Sequence, residues 1–277
     1  MKSKILKIEK NGWERANFIN YNSLYSLKKQ WNKAKPFRHV VLKNFLQTEV
    51  AKKVALEFPK FNSSDWQIYN NSLEVKKLLN HWNMFGPMTY KLFYYLNSPV
   101  FIKKIELLVG CKLFADFGIN GGGLHTHRSG GKLNVHLDYS IHPKLNLERR
   151  VNLLIYITKN WKKKWGGDLG FWSNHPSKNQ PDKLIKQITP IFNSAVLFDT
   201  TQNSWHGLPE KITCPENVTR NSLAIYYLCE PRDKAVNRGK ALFAPYKNQI
   251  NDPDVLNLIK KRAKISQSTK VYGDKKI

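Results

Sequence analysis

The stretch that decides the fold reads Leu133-Asn134-Val135-His136-Leu137-Asp138-Tyr139, followed far downstream by Trp205-His206-Gly207. Side chains on a β-strand alternate faces, so residues i and i+2 point the same way. On a strand, His136 and Asp138 can therefore converge on one ion, with His206 as a third donor from a distant segment. Two imidazoles and one carboxylate leave the opposite coordination positions of a metal open, as in non-haem iron sites that perform chemistry. A closed structural site would consume those positions. A His-x-Asp pair alone is a common pattern, so the weight rests on its surroundings. Arg220, fourteen residues beyond His206 in Thr219-Arg220-Asn221-Ser222, adds a cation suited to an anionic cosubstrate.

Working outward, short β-rich runs separated by Gly, Pro, Asn and Asp clusters predict strands over 132–138, 150–158, 169–172, 184–189, 195–199 and 222–228. Many short strands with turn signals indicate a barrel or sandwich. The chain before them reads as mostly helical. Residues 39–46 form a strand, and Thr48 starts a helix to about Phe58. Residues 59–71 are a loop, and 73–96 carry helical periodicity broken at Gly86-Pro87. Ser98-Pro99 pairs a capping hydroxyl with Pro at the first helical position, and that helix ends at Gly110. Asp252-Pro253 opens a last helix with Val255, Leu256, Ile259 and Ala263 as its apolar stripe. The reading is an N-terminal extension over 1–35, a single domain over 36–265 with its β core at about 112–230, and a basic flexible tail over 266–277.

Composition narrows the class. A chain of 277 residues that is 41% hydrophobic and 12% aromatic can bury a sizeable core. Cys111, Cys214 and Cys229 have neither disulfide-framework nor zinc-motif spacing, which favours a reducing compartment. Charges interrupt every apolar pair near Met1, so no signal-peptide core is present, and no run reaches membrane-span length. A cytoplasmic protein with no membrane partner is expected. The formal charge of +26 is scattered over runs such as Lys76-Lys77 and Lys162-Lys163-Lys164. No stripe with interleaved aromatics emerges, so a compositional origin is favoured, and nucleic acid is expected only as an electrostatic partner.

Four segments stand in order: 121–138; Arg149-Arg150-Val151-Asn152-Leu153-Leu154-Ile155-Tyr156-Ile157-Thr158 with Trp161; Trp165-Gly166-Gly167-Asp168-Leu169-Gly170-Phe171-Trp172; and 192–206 with Arg220-Asn221-Ser222. This succession resembles the 2-oxoglutarate- and Fe(II)-dependent oxygenases, in particular the prolyl 4-hydroxylase-like branch, over roughly residues 37–230. The resemblance implies a mainly β fold with flanking helices, a double-stranded β-helix (jelly roll) core packed on N-terminal helices. It implies that His136, Asp138 and His206 bind Fe(II), and that Arg220 pairs with the distal carboxylate of 2-oxoglutarate, with O2 as cosubstrate. A planar guanidinium suits that carboxylate because it binds bidentately. Ser222 shares the face of Arg220 and can add a hydrogen bond. Tyr156 stands where related enzymes place a cosubstrate-binding Tyr, and Asn152 lies on its face. Related halogenases lack the carboxylate that Asp138 supplies, so hydroxylation is implied. Nucleic-acid demethylases carry a second Arg six residues after the first; here that position is Tyr226.

The implied activity is hydroxylation of an unactivated C–H bond, with succinate and CO2 as coproducts, on a prolyl residue of a peptide or on a small molecule or glycan precursor. Readings from other classes are an inactive jelly-roll binding protein and a basic nucleic-acid-binding module. Without the resemblance, Tyr156 reads as a core residue and Arg220 as a surface charge. Trp205 packs the barrel end on this reading, and Gly166-Gly167 is a turn. His125 and His127, after three glycines, line the active-site mouth or sit on a surface loop. His39, His81, His142 and His175 have no partner at ligand spacing.

Overall fold

Local signals set the best-defined helix before any packing is considered. The Ser98 hydroxyl accepts a hydrogen bond from the Phe101 N–H, and Gly110 closes the helix in the left-handed region at φ 84°. A hydroxyl at the N-cap satisfies an orphan amide, and glycine adopts positive φ without a steric penalty. The computed structural model describes residues 17–21, 23–233, 235–238 and 240–263. In chain order it shows α1 (Lys28–Lys33), β1 (His39–Leu42), α2 (Thr48–Glu57), β2 (Gln67–Asn70), β3 (Glu74–Leu79), α3 (Pro87–Leu96), α4 (Pro99–Val109), β4 (Phe114–Ala115) and β5 (Gly123–His127). There follow β6 (Lys132–Leu133), β7 (His136–Leu137), β8 (Glu148–Tyr156), β9 (Leu169–Asn174), β10 (Pro181–Ile188), β11 (Ala195–Asp199), β12 (His206–Gly207), β13 (Arg220–Cys229), β14 (Leu242–Phe243) and α5 (Pro253–Ala263).

The larger sheet has the order β1-β11-β8-β13-β5-β3-β2, with β4 added on β13 and β6 on β3. The smaller sheet is β10-β9-β12-β7-β14. Pairing is antiparallel in both, as at β8–β13 and β7–β12. The two sheets face each other as a jelly roll. Phe171 of the smaller sheet packs on Phe198 of the larger at 5.4 Å between ring centroids.

Strand β8 shows how the period of two divides the labour. Val151, Leu153 and Ile155 join Leu92, Phe93, Phe101 and Ile105 of α3 and α4 in one buried cluster. Full burial of each such side chain contributes about 1.5–3 kcal/mol. Asn152, Leu154 and Tyr156 face the other way, toward the interior between the sheets. β13 repeats the pattern: Leu223, Ile225 and Tyr227 go to the helices, and Arg220, Ser222, Ala224 and Tyr226 line a cavity. Close strand packing on the same face needs a glycine at one point. Gly123 has φ +102°, and a Cβ there would collide with the Leu79 carbonyl oxygen.

Three expectations are corrected. The described residues within 17–35 are no mere surface extension, since Phe18 and Trp31 are fully buried in the main core. The Gln47 N–H donates to the Phe18 carbonyl and the Asn20 N–H to the Phe45 carbonyl, so backbone bonds hold this segment down. Its polar composition hides four core side chains, Phe18, Ile19, Leu24 and Trp31. Residues 1–16 and 264–277, which hold the rest of the proposed extension and the proposed tail, lie outside the described residues. Within the predicted helical stretch 73–96, residues Glu74–Leu79 are strand β3, paired on both sides by β2 and β5. Sheet pairing overrides a short helical period there. Finally, 132–138 is two short strands separated at Asn134-Val135, where the Asn134 N–H bonds to the Leu73 carbonyl.

The packing of residues 17–35 can be measured. Trp31→Ala should lower unfolding free energy by roughly 3–5 kcal/mol, as for a large core side chain. Urea denaturation reads this directly; a shift under about 0.5 kcal/mol, the range of surface substitutions, would return the segment to the status of an extension.

Candidate active site

The site begins where the shortest strands meet. β12 pairs with β7 through one register position, His206 opposite His136. That pairing places the two rings 4.3 Å apart by centroid. Asp138 follows one residue after β7 and shares the face of His136. The His136 Nε2 lies 3.8 Å from Asp138 Oδ1, and the His206 Nε2 lies 3.6 Å from Asp138 Oδ2. The three residues' donor atoms all lie within 4.8 Å of one another, and all three residues are buried.

Each imidazole is oriented from behind. His136 Nδ1 donates to the Asn134 carbonyl at 2.9 Å, and His206 Nδ1 donates to the Ser204 carbonyl at 2.8 Å. A carbonyl only accepts, so the Nδ1 positions carry the protons and the Nε2 lone pairs face Asp138. Such outer bonds set the tautomer that a metal ligand needs. Phe243 stacks on His136 at 5.0 Å and Phe198 meets His206 edge-on at 4.8 Å. Gly207 permits the close approach of β12, since a Cβ there would lie 2.9 Å from the Asn134 carbonyl oxygen. Asp138 Oδ2 is buried without a hydrogen-bond partner. A carboxylate with one orphaned oxygen, set between two oriented Nε2 atoms, fits a divalent metal, and these are the donor types of a facial triad.

The electrostatics agree. Burial pushes the His136 imidazole down to about 3, with His206 adding to the effect. Burial alone would raise Asp138, but His206, Arg149 and His136 together hold its carboxyl below the usual range. Neutral imidazole and ionised carboxylate are the protonation states that bind metal.

Arg149 is the cavity-lining side chain that sequence reasoning missed. Its Nη1 lies 3.4 Å from Asp138 Oδ1, and its Nη2 donates to the Asn120 carbonyl at 2.6 Å. The guanidinium sits 3.3 Å from the ring centroids of both Tyr139 and Tyr226. Counting by twos from Tyr156 would aim Arg150 at the cavity and Arg149 at the helices. A register irregularity reverses them: Tyr227 pairs with Val151, but Leu228 pairs with Arg149. The extra residue of a β-bulge re-aims its neighbours. Arg150 instead forms an ion pair with Asp199.

The cavity beside the triad measures about 530 Å3 and is lined by His136, Asp138, His206, Arg220, Ser222, Asn152 and Tyr226, among others. Arg220 is buried, and its Nε donates to the Gly167 carbonyl at 2.7 Å, which leaves its terminal nitrogens for a ligand. Tyr156 lies behind Arg220, its ring centroid 5.0 Å from the guanidinium carbon. It packs with Leu169, Phe171 and Phe198 and is off the cavity wall. Its hydroxyl is buried without a hydrogen-bond partner. Burial raises the phenol's pKa and the Arg220 charge opposes that. Asn152 Oδ1 is likewise buried and unpartnered.

His125 and His127 are not on a surface loop. They lie on β5 and line the cavity, and only the sheet pairing of 123–127 could reveal it. His39 and His142 have structural roles: His39 bonds the Phe37 carbonyl, and His142 Nδ1 accepts from the Lys144 and Leu145 N–H groups. Trp205 packs with Val135 and Leu137, and its indole N–H donates to Asn174.

With this geometry in hand, the comparison with known families is decisive for the core. Residues 122–228 match the family described as the 2OG-Fe(II) oxygenase superfamily. That segment belongs to this superfamily. It is an oxygenase domain whose cofactors are Fe(II) and 2-oxoglutarate. Solved structures share the fold. A prolyl hydroxylase from Trichoplax adhaerens, in complex with a hypoxia inducible factor oxygen degradation domain peptide, has 19% identity and a TM-score of 0.51, covering 73% of this chain and 87% of its own. A prolyl-4-hydroxylase of Pseudomonas putida has 13% identity and a TM-score of 0.50, covering 74% and 99%. Prolyl 4-hydroxylases from Phytophthora capsici give 17% identity and a TM-score of 0.50, covering 90% and 76%. No helix among the described residues is long and apolar enough to cross a membrane.

The buried imidazoles give the metal-free protein a characteristic acid response. Burial lowers His125 to about 3, and His127 falls well below its ordinary value, with Arg220 and Lys76 contributing to both. The unfolded chain therefore binds protons below about pH 6.5 that the folded chain refuses. The stabilisation is complete above the unfolded pKa and is lost as pH falls from about 6.5 toward 3. The urea midpoint of metal-free protein should fall between pH 7 and pH 5, and the fall should shrink in His127→Gln; an equal fall in that variant would remove His127 from this account.

Proposed function

We propose that the protein hydroxylates an unactivated C–H bond, with 2-oxoglutarate converted to succinate and CO2. The observation that carries the reading is the convergence of His136, Asp138 and His206 on the wall of a cavity that also holds Arg220. The three triad residues would hold iron through two Nε2 atoms and the Asp138 carboxylate. The chemistry supplied by bound iron, 2-oxoglutarate and O2 is oxidative decarboxylation coupled to C–H oxidation.

The chain's own residues bind, orient and exclude water. Arg220 would take the distal carboxylate of 2-oxoglutarate with the terminal nitrogens that its Gly167 bond leaves open. Ser222, next but one on the same strand face, would add a hydroxyl donor. Tyr156 would add a phenol donor beside the Arg220 guanidinium, since its buried hydroxyl has no partner of its own. Arg149 would hold the Asp138 carboxylate in place through Oδ1, the oxygen that also faces His136. The Phe243 and Phe198 rings shield the two imidazoles, and a dry site strengthens every charge interaction inside it.

For the substrate, we place the protein with the prolyl hydroxylases, as a peptidyl-proline hydroxylase. Support comes from the prolyl hydroxylases among its fold relatives and from a cavity large enough for a side chain beside the triad. A small molecule or glycan precursor is the alternative, and an oxidation panel separates them. Cys111, Cys214 and Cys229 are all free thiols, in keeping with a reducing compartment such as the cytoplasm.

Anaerobic addition of Fe(II) and 2-oxoglutarate should produce a visible charge-transfer band, and admission of O2 should yield succinate. Asp138→Ala should lose both signals. Arg220→Met should retain iron and weaken 2-oxoglutarate by roughly tenfold to a hundredfold, the value of charged hydrogen bonds. A wild-type protein that shows neither band nor succinate refutes the oxygenase reading. Mass gain of one oxygen across a peptide and metabolite panel identifies the substrate; gain on metabolites alone rejects the prolyl assignment.

A further inference from the structure

The cavity floor extends beyond the triad and the Arg220 site along one continuous sheet face. Arg220 pairs with His127, and Ser222 with His125. On the far side of β5, Leu78 pairs with His125, and the same register sets Lys76 beside His127. Tyr69 of β2 pairs in turn with Lys76. Cross-strand partners share a face with Cβ atoms about 4.5–5.5 Å apart. One row therefore runs Tyr69, Lys76, His127, Arg220, with His125 in the next row.

Two observations point to an anion-binding role for this row. First, its polar groups are incomplete: His125 Nε2 and both ring nitrogens of His127 are buried without a hydrogen-bond partner. Buried polar atoms in folded proteins are almost always paired, so an orphaned imidazole on a cavity wall marks a position that a bound group fills. Second, the charge is unbalanced. Arg149 is opposed by Asp138, and Arg220 answers the cosubstrate. Of the remaining charges on the wall among the described residues, Lys76, Lys240 and Arg262 are cations and Glu74 is a carboxylate, which pairs with both Lys76 and Arg262. A divalent metal and the dianion 2-oxoglutarate together add no net charge to this wall. The Lys76 side chain is only 15% exposed, so solvent screens it little.

We propose that the substrate carries an anionic group, a carboxylate or a phosphate, that seats on Lys76 with hydrogen bonds from His125 and His127. The β2–β3 hairpin is then the specificity wall of the enzyme, and acidic substrates are its class. The imidazoles suit the task because a neutral ring donates one N–H without adding a charge that would have to be balanced when the site is empty. This inference rests on the oxygenase reading for the identity of the ligand as substrate, but the anion site stands on the row of residues alone.

Inorganic sulfate is the probe. Titrated into the full chain loaded anaerobically with Fe(II) and 2-oxoglutarate, and followed by calorimetry, sulfate should bind saturably while the charge-transfer band persists. Lys76→Met should weaken sulfate by roughly tenfold or more and leave the affinity for 2-oxoglutarate unchanged; Lys76→Arg should retain sulfate binding. Sulfate that fails to bind, that displaces 2-oxoglutarate, or that binds Lys76→Met as well as wild type overturns the proposal. If the wild-type band never forms, the oxygenase reading falls, and the sulfate isotherm with its Lys76 dependence still decides the anion site.

Discussion

The structure depends on one narrow contact, the pairing of β12 with β7 at His206 and His136. Two strands of two residues each bring together segments seventy positions apart. Little of the required precision comes from the strands themselves. It comes from Asn134 and Ser204, whose carbonyls lock the imidazoles, and from the glycine after His206 that lets the backbones meet. The apolar support behind this contact, Val135, Leu137 and Trp205, forms its own small cluster. A site built on such short elements needs that rigid surround, because it has few ladder bonds of its own.

Behind that contact stands a division of labour in the larger sheet. β8 and β13 are buried on both faces, and their two faces have different duties. One face is a hydrocarbon layer against α3 and α4. The other presents Asn152, Arg220, Ser222 and Tyr226 to a cavity. Burial of charged and amide groups is unfavourable unless they are paired, so the apolar face must supply the stability that the polar face consumes. Unpartnered atoms on Asn152, Tyr156, His125 and His127 mark where that expenditure is greatest, and they cluster where function is expected.

Much of this could be read from the residues. The triad, Arg220 and Ser222 follow from strand periodicity and from motifs in a fixed order, and the helix over 99–109 follows from its two caps. What escaped was of another kind. Residues 17–35 look polar on average, and average polarity says nothing of where four apolar side chains point. β3 carries a helix-like spacing that only its neighbours β2 and β5 overrule. Arg149 and Arg150 are adjacent, and strict alternation picks the wrong one. A bulge is a property of two strands at once, so one strand's sequence cannot announce it.

The Tyr139–Arg149–Tyr226 stack has a consequence for how this protein can change over time. The guanidinium is held by its flat faces and by its edge at once, on two phenol rings and on Asp138. Lysine keeps the charge but has no plane to insert between rings. Loss of either ring would uncover one face of the guanidinium beside Asp138. The three residues thus form a single heritable unit, contributed by three separate segments of the chain. Drift at any one of them is constrained by the other two, and substitution there is expected to be concerted or absent.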